Sequence, residues 1–218
     1  MITFIGDIHG DIDFYLAVAN NSVNSIQVGD FGYKKPLTTL AYSGLNPENH
    51  KVVLGNHDDY DYAPQVPHAL DLFGMSEVGG RTFFYIRGGI SLNRAYLLMQ
   101  EMSNGPKEYW SQEELTFSDM LAALDLYKFA KPDIVVSHVP CGMVVQKIAD
   151  SIGDSTLDKY KFHKGFRENT ALLGDEMLKY HRPKLWVSGH MHFPFDEVID
   201  KTRFVSLDMK EVFCYDED

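Results

Sequence analysis

Residues 187–192 read Val-Ser-Gly-His-Met-His and close the apolar run Leu185-Trp186-Val187. A glycine and two imidazoles thus end what has the composition of a buried strand. Strand alternation would send His190 and His192 to one side of a sheet edge. Two imidazoles placed together either pack or bind metal, and a metal needs further ligands from elsewhere in the chain.

Four other apolar, β-rich runs end in polar residues. Residues 1–7 (MITFIGD) end at Asp7, with His9 two positions on. Residues 25–30 (SIQVGD) end at Asp30, 51–58 (KVVLGNHD) at Asn56, His57 and Asp58, and 133–138 (DIVVSH) at His138. Each run is short and rich in Val, Ile and Leu, as suits strands buried on both faces. Taken singly, Asp7 or Asp30 could be a cap at a strand end and His138 a satisfied core histidine. Independent caps and turns have no reason to recur at five strand ends. The set holds oxygen and nitrogen donors and no thiolate, which suits Mn, Fe, Ni or Zn and not a cysteine-built structural zinc site. Asp7, His9, Asp30, Asn56, His138, His190 and His192 are too many for one ion. They suffice for two if one carboxylate bridges, and two ions about 3.5–4 Å apart clamp an in-line displacement at phosphorus.

Helical patterns fall between the strands: 11–21, with Asp11 as N-cap; 111–130, with Ser111 and Glu114 spaced as a capping box; and 166–181. Residues 79–91 (GGRTFFYIRGGIS) predict a hairpin or edge strands, and Phe83, Phe84 and Tyr85 an exposed aromatic edge able to pair. Residues 92–102 predict a short helix and 103–110 a loop. The tail from Phe195 predicts two or three antiparallel strands. Strands alternating with helices give an α/β sheet, whose ligands sit beyond the carboxyl ends of the strands. His50, His68, His163 and His181 read as surface histidines.

The chain has 218 residues, 44% of them hydrophobic, and a formal net charge of -11. One domain spanning 1–218 with a full core is expected. The acidic balance disfavours a sequence-independent grip on long nucleic acid. Two cysteines, Cys141 and Cys214, fit a reducing compartment. No basic leader and no membrane-length apolar run is evident, so the expected setting is the cytoplasm, with no membrane partner.

The ordered blocks D-x-H (7–9), G-D (29–30), G-N-H-D (55–58), His138 and G-H-x-H (189–192) resemble the calcineurin-like metallophosphoesterase superfamily. The resemblance implies an α/β, four-layer α/β/β/α sandwich with mixed sheets and a two-metal site at its strand ends. It implies Asp7, His9 and His192 on the first metal, Asn56, His138 and His190 on the second, and Asp30 bridging. It also implies in-line attack by a metal-bridging hydroxide, with His57 as general acid and Asp58 orienting it. Two divalent ions, manganese first, are the expected cofactors.

Departures narrow the reading. The protein-phosphatase branch carries an arginine after its second block, where this chain has Gly29-Asp-Phe-Gly-Tyr-Lys-Lys35. A lysine there is a mobile point charge, not a bidentate fork. The form is closer to the phosphodiesterase branches, and residues 87–115 (RGGISLNRAY…W…EEL) look like a stretch of small bacterial and phage-type members. In that likeness Arg94 could face the site, although Lys34, Lys35 and Arg94 by themselves suit solvent, as Arg167 and His163 do. The expected activity is hydrolysis of a small phosphate ester such as a nucleotide, a diester before a monoester. A catalytically idle binding module on the same fold is the competing reading.

Overall fold

The computed structural model describes residues 1–152 and 168–216. Its two sheets grow from the runs identified above. Ile2–Ile5 (β1), Ser25–Gln27 (β2) and His50–Val52 (β3) are buried at every position. They pair in parallel, and Val212–Tyr215 (β10) adds antiparallel to β1, giving the order β10-β1-β2-β3. The second sheet has the order β4-β5-β6-β7-β9-β8, formed by Phe73–Val78 (β4), Arg81–Ile86 (β5), Ile134–Ser137 (β6), Leu185–Ser188 (β7), Phe195–Ile199 (β8) and Thr202–Ser206 (β9). Strands β5, β6, β7 and β9 are parallel, while β4 and β8 are antiparallel edges, so both sheets are mixed.

Both faces of both sheets are covered. Ile2, Phe4, Ile26 and Val28 meet Phe83, Val136, Val187 and Val205 between the sheets. Alternation turns Ile5 and Val52 outward, onto Ile12–Ala19 (α1) and Lys34–Ala41 (α2) through Tyr15, Leu37 and Leu40. Phe84, Ile86, Val135, Trp186 and Phe204 face the opposite way. They pack on Phe117–Ala130 (α4), Gly142–Ser151 (α5) and Asn169–Met177 (α6) through Ala123, Tyr127, Val144, Ile148, Leu173 and Met177. Three apolar interfaces therefore separate four layers, α/β/β/α. Among the described residues no helix is long and apolar enough to cross a membrane.

Several local expectations are corrected. Strands β4 and β5 form the hairpin, joined at Gly79–Gly80, but β5 is interior, and Phe83 and Phe84 are 0% exposed rather than an exposed edge. The capping box lies at Thr116 and Asp119, not Ser111 and Glu114. Residues Ser111–Glu113 make only a 3-10 turn, because the Glu113 side chain is drawn inward to Ser91. In the tail, β8 and β10 are antiparallel to their partners, but β9 runs parallel to β7. His50 and His68 are buried, bonded to the Ser25 hydroxyl and the Leu45 carbonyl. His163 and Arg167 lie outside the described residues. Asp11 caps α1 as expected, accepting from the Phe14 N–H, and Arg94–Met102 (α3) is the short helix foreseen.

Candidate metal centre

Strands β1, β2 and β3 of one sheet and β6 and β7 of the other run their carboxyl ends toward one place. Asp7 and His9 follow β1, Asp30 follows β2, Asn56 and His57 follow β3, His138 follows β6, and His190 and His192 follow β7. None of these residues lies within a strand. His9, Asp30, His190 and His192 have φ of 43°, 53°, 66° and 46°, in the left-handed region. Left-handed loop geometry, not strand alternation, therefore puts His190 and His192 on the same side. The glycines of the blocks have a packing reason. A Cβ on Gly55 would lie 2.2 Å from Asp30 Oδ1, and one on Gly189 2.1 Å from Asp7 Oδ1.

Two groups of donors form around Asp30. In the first, His9 Nε2 and His192 Nε2 are 2.9 Å apart, and His192 Nε2 is 3.0 Å from Asp7 Oδ2. Ligand atoms of Asp7, His9, Asp30 and His192 all lie within 4.8 Å of one another. In the second, His138 Nε2 lies 3.2 Å from Asn56 Oδ1 and 3.2 Å from His190 Nδ1. Asp30 touches both: Oδ1 is 3.3 Å from His138 Nε2, and Oδ2 is 3.7 Å from His9 Nε2. All seven donors singled out in the sequence are brought together.

The electrostatics fit a cationic occupant. Asp7 and Asp30 are 0% and 1% exposed. Among the described residues their ion-pair partners are imidazoles alone, with no Lys or Arg. Buried carboxylates without a permanent cation are costly. Burial opposes ionisation of Asp30, but the facing His138 holds it well below the usual carboxylate range. Burial likewise works against charge on His138, yet Asp30 and then Asp7 raise it to about 10. Burial lowers His9, against the pull of both carboxylates, and the Asp7 bond raises His192 against its burial. Two anions, four imidazoles and an amide oxygen are a donor set for borderline divalent ions, and the residues fit such a pair.

His57 stands beside this cluster, its ring 5.4 Å from that of His9 and its N–H donating to Asp30 Oδ1. Its Nδ1 faces the Tyr33 hydroxyl at 3.2 Å. Asp58 does not play the orienting part expected of it. Its two oxygens accept from the N–H groups of Gly32 and Gly55, both at 2.6 Å, so it ties the β2 and β3 loops together. Burial and the charge of Asp30 push its pKa up to about 8. A cleft of about 440 Å³ opens here, lined by His9, Gly10, Gly32, Tyr33, Lys35, Pro36 and His57. Lys35 is thus at the cleft, whereas Arg94 is paired with Glu114 at 2.7 Å.

The sequence model of the calcineurin-like phosphoesterases matches residues 1–194. The chain belongs to this family. A calcineurin-like phosphoesterase is a metal-dependent hydrolase of phosphate esters with a dinuclear divalent centre. No curated protein matches the sequence. Among solved structures, the chain is similar to a phosphopantetheinyl hydrolase from Mycobacterium tuberculosis, at 17% identity and TM-score 0.54, over 96% of this chain and 89% of that one. It is also similar to an archaeal phosphodiesterase, at 13% identity and TM-score 0.41, over 95% and 83%. A third is GAP50, the anchor in the inner membrane complex of Plasmodium, at 17% identity and TM-score 0.46, over 95% and 70%. The first of these likenesses shows the shared fold.

Three residues of this phosphoesterase's site escaped the sequence reading. Tyr33 carried no signal beyond its place after the second block. Glu113 and Glu168 are buried, at 1% and 7% exposed. Burial pushes the Glu113 carboxyl up to about 7, against the Ser91 N–H and hydroxyl that hold it down. Glu113 lay in the Glu-Glu-Leu stretch already picked out by resemblance, but a pair of adjacent acids reads as a solvated face.

Proposed function

We propose that the protein hydrolyses a small phosphodiester at a dinuclear centre. Asp7, His9 and His192 would hold one ion, Asn56, His138 and His190 the other, and Asp30 both. When bound, such ions lower the pKa of water and neutralise phosphoryl oxygens. Manganese suits the donors, and Fe, Ni or Zn is compatible with them. Around the centre, His57 would give a proton to the leaving oxygen, a role supported by the Tyr33 hydroxyl 3.2 Å from its Nδ1. Lys35 lines the same cleft and would meet the phosphate there, with Tyr33 and Pro36 as an apolar wall for the ester group. Residues 1–218 would form one metallophosphoesterase domain. Cys141 and Cys214 are free thiols, which suits a cytoplasmic setting.

The observation that carries the diester preference is the cleft's sparse positive charge. Among the described residues lining the cleft, Lys35 is the one permanent cation. A phosphomonoester near neutral pH is largely a dianion and a diester a monoanion, so a cleft with no arginine fork among its described lining residues favours the diester. Elemental analysis followed by turnover of bis-p-nitrophenyl phosphate and p-nitrophenyl phosphate with Mn²⁺ tests this. Two ions per chain with faster diester turnover is expected. Monoester turnover alone would move the assignment to a small-molecule phosphatase. Two ions with no turnover of either ester would favour an idle binding module.

A further inference from the structure

The loop from Gly88 to Ser91 lies outside the five ligand blocks, yet it packs on the second group of donors. Its N–H groups are held one by one. Gly88 donates to the Leu54 carbonyl, Gly89 to the Glu113 carbonyl, Ile90 to Glu168 Oε2 at 2.8 Å, and Ser91 to Glu113 Oε1 at 2.8 Å. Two buried glutamates thus clamp the loop, and each carboxylate has one oxygen left. Glu168 Oε1 lies 3.2 Å from His190 Nε2. Glu113 Oε2 accepts the Ser91 hydroxyl at 3.1 Å, and Ser91 Oγ receives the Asn56 Nδ2 group at 3.4 Å.

We propose that Glu168 and Glu113 are positioning residues that create the second metal pocket by fixing which atoms of His190 and Asn56 face it. The inference rests on the ligand assignment above. A carboxylate can only accept, so Glu168 obliges His190 to carry its proton on Nε2. The lone pair of Nδ1, the nitrogen that faces His138, is then free for an ion. Glu113 acts through Ser91 in the same sense. The hydroxyl spends its proton on the carboxylate and can only accept from Asn56, so the amide nitrogen turns to Ser91 and the amide oxygen to His138. Reversing either donor–acceptor chain would present a hydrogen, not a lone pair, to the ion.

Glu168→Gln is nearly isosteric and reverses the first chain. With its amide oxygen kept for Ile90, its nitrogen must donate to His190 Nε2, and the proton moves to Nδ1. Ser91→Ala deletes the second chain. Glu113→Gln, with its oxygen kept for the Ser91 N–H, sets a donor opposite the hydroxyl in place of the acceptor that fixes it.

The experiment is calorimetric titration of Mn²⁺ into the full chain and these three variants. Long-range ¹⁵N–¹H NMR of the histidines in the metal-free parent and in Glu168→Gln accompanies it. The parent should bind two ions; fewer than two would refute the ligand assignment itself. Given two, each variant should keep one binding step unchanged and weaken the other about 10- to 100-fold. Ser91→Thr, which retains the hydroxyl, should bind more tightly than Ser91→Ala. His190 should be the Nε2–H tautomer in the parent and the Nδ1–H tautomer in Glu168→Gln. Equal weakening of both steps, unchanged titrations in folded variants, or an unchanged tautomer would overturn the proposal. Each glutamate stands or falls by its own variant.

Discussion

The backbone N–H of His57 donates to Asp30 Oδ1 over 2.8 Å, so the carboxylate between the two donor groups also fixes the loop that carries the candidate acid. Asp30 is 1% exposed and has a φ of 53°, a conformation that asparagine tolerates. Asp30→Asn should therefore fold. It keeps one acceptor for His57 and loses the second anionic oxygen. Metal content should drop from two ions per chain to one or none, and turnover should fall about 10³-fold. Elemental analysis beside a diester assay checks both.

His57→Ala should retain both ions and lose about 10²–10⁴-fold in turnover, the usual range for a general acid. Tyr33→Phe removes the hydroxyl 3.2 Å from Nδ1 and should cost about 10-fold, again with metal kept. Loss of metal from His57→Ala would mean that the ring is a ligand. A leaving group of low pKa needs no proton, so a p-nitrophenolate ester should be less affected than an alkyl ester.

Asp58→Asn should act on stability. The carboxylate accepts from two N–H groups at 2.6 Å, and an amide can satisfy only one of them. The other would face an NH₂ group. Thermal unfolding should show a loss of about 1–3 kcal/mol; a variant more stable than the parent would show that burying the charge, which raises the carboxyl to about 8, outweighs the two bonds. Any fall in turnover should follow from the displaced Gly32 and Gly55 loops.

Glu113 gives a prediction with a pH sign. Its carboxyl is raised from an ordinary 4.5 to about 7, chiefly by burial. The folded state therefore holds the proton more tightly than the unfolded state. Its contribution to stability is fully present below about 4.5 and is lost as pH rises toward about 7. In metal-free protein, Glu113→Gln should unfold like the parent at pH 4 and be more stable at pH 8, by roughly 1–3 kcal/mol. Calorimetry at both pH values measures this; a destabilised variant at pH 8 would show that the ionised carboxylate holds the Gly88–Ser91 loop more strongly than its burial opposes it.

The gathering of the candidate ligands was legible because each follows a short apolar run, and a parallel sheet delivers such ends to one edge. Two parallel sets facing each other explain why one sequence pattern encodes both halves of the centre. What could not be read were features set by long-range packing. The Glu113 side chain looks solvent-bound in sequence, and only the approach of Ser91 draws it inward and delays α4 until Thr116. Phe83 and Phe84 follow a Gly-Gly turn and suggest an edge, but β6 lies alongside and makes β5 interior. His190 and His192 are two apart, yet their common side comes from left-handed backbone that no residue pattern announces. Asp58 sits next to His57 in the chain and turns to other partners, because both Gly32 and Gly55 present N–H groups to it.

Those left-handed conformations bear on how such a chain can drift. His9, Asp30, His190 and His192 each hold a backbone shape that costs an ordinary residue about 1–2 kcal/mol. Glycine or asparagine at any of the four would relieve that strain and erase a candidate ligand in the same step. A lineage selected for stability alone would find these replacements among the first improvements open to it. Histidine and aspartate at the four positions therefore stand against a local cost in backbone energy, which the proposed metal ligation would offset.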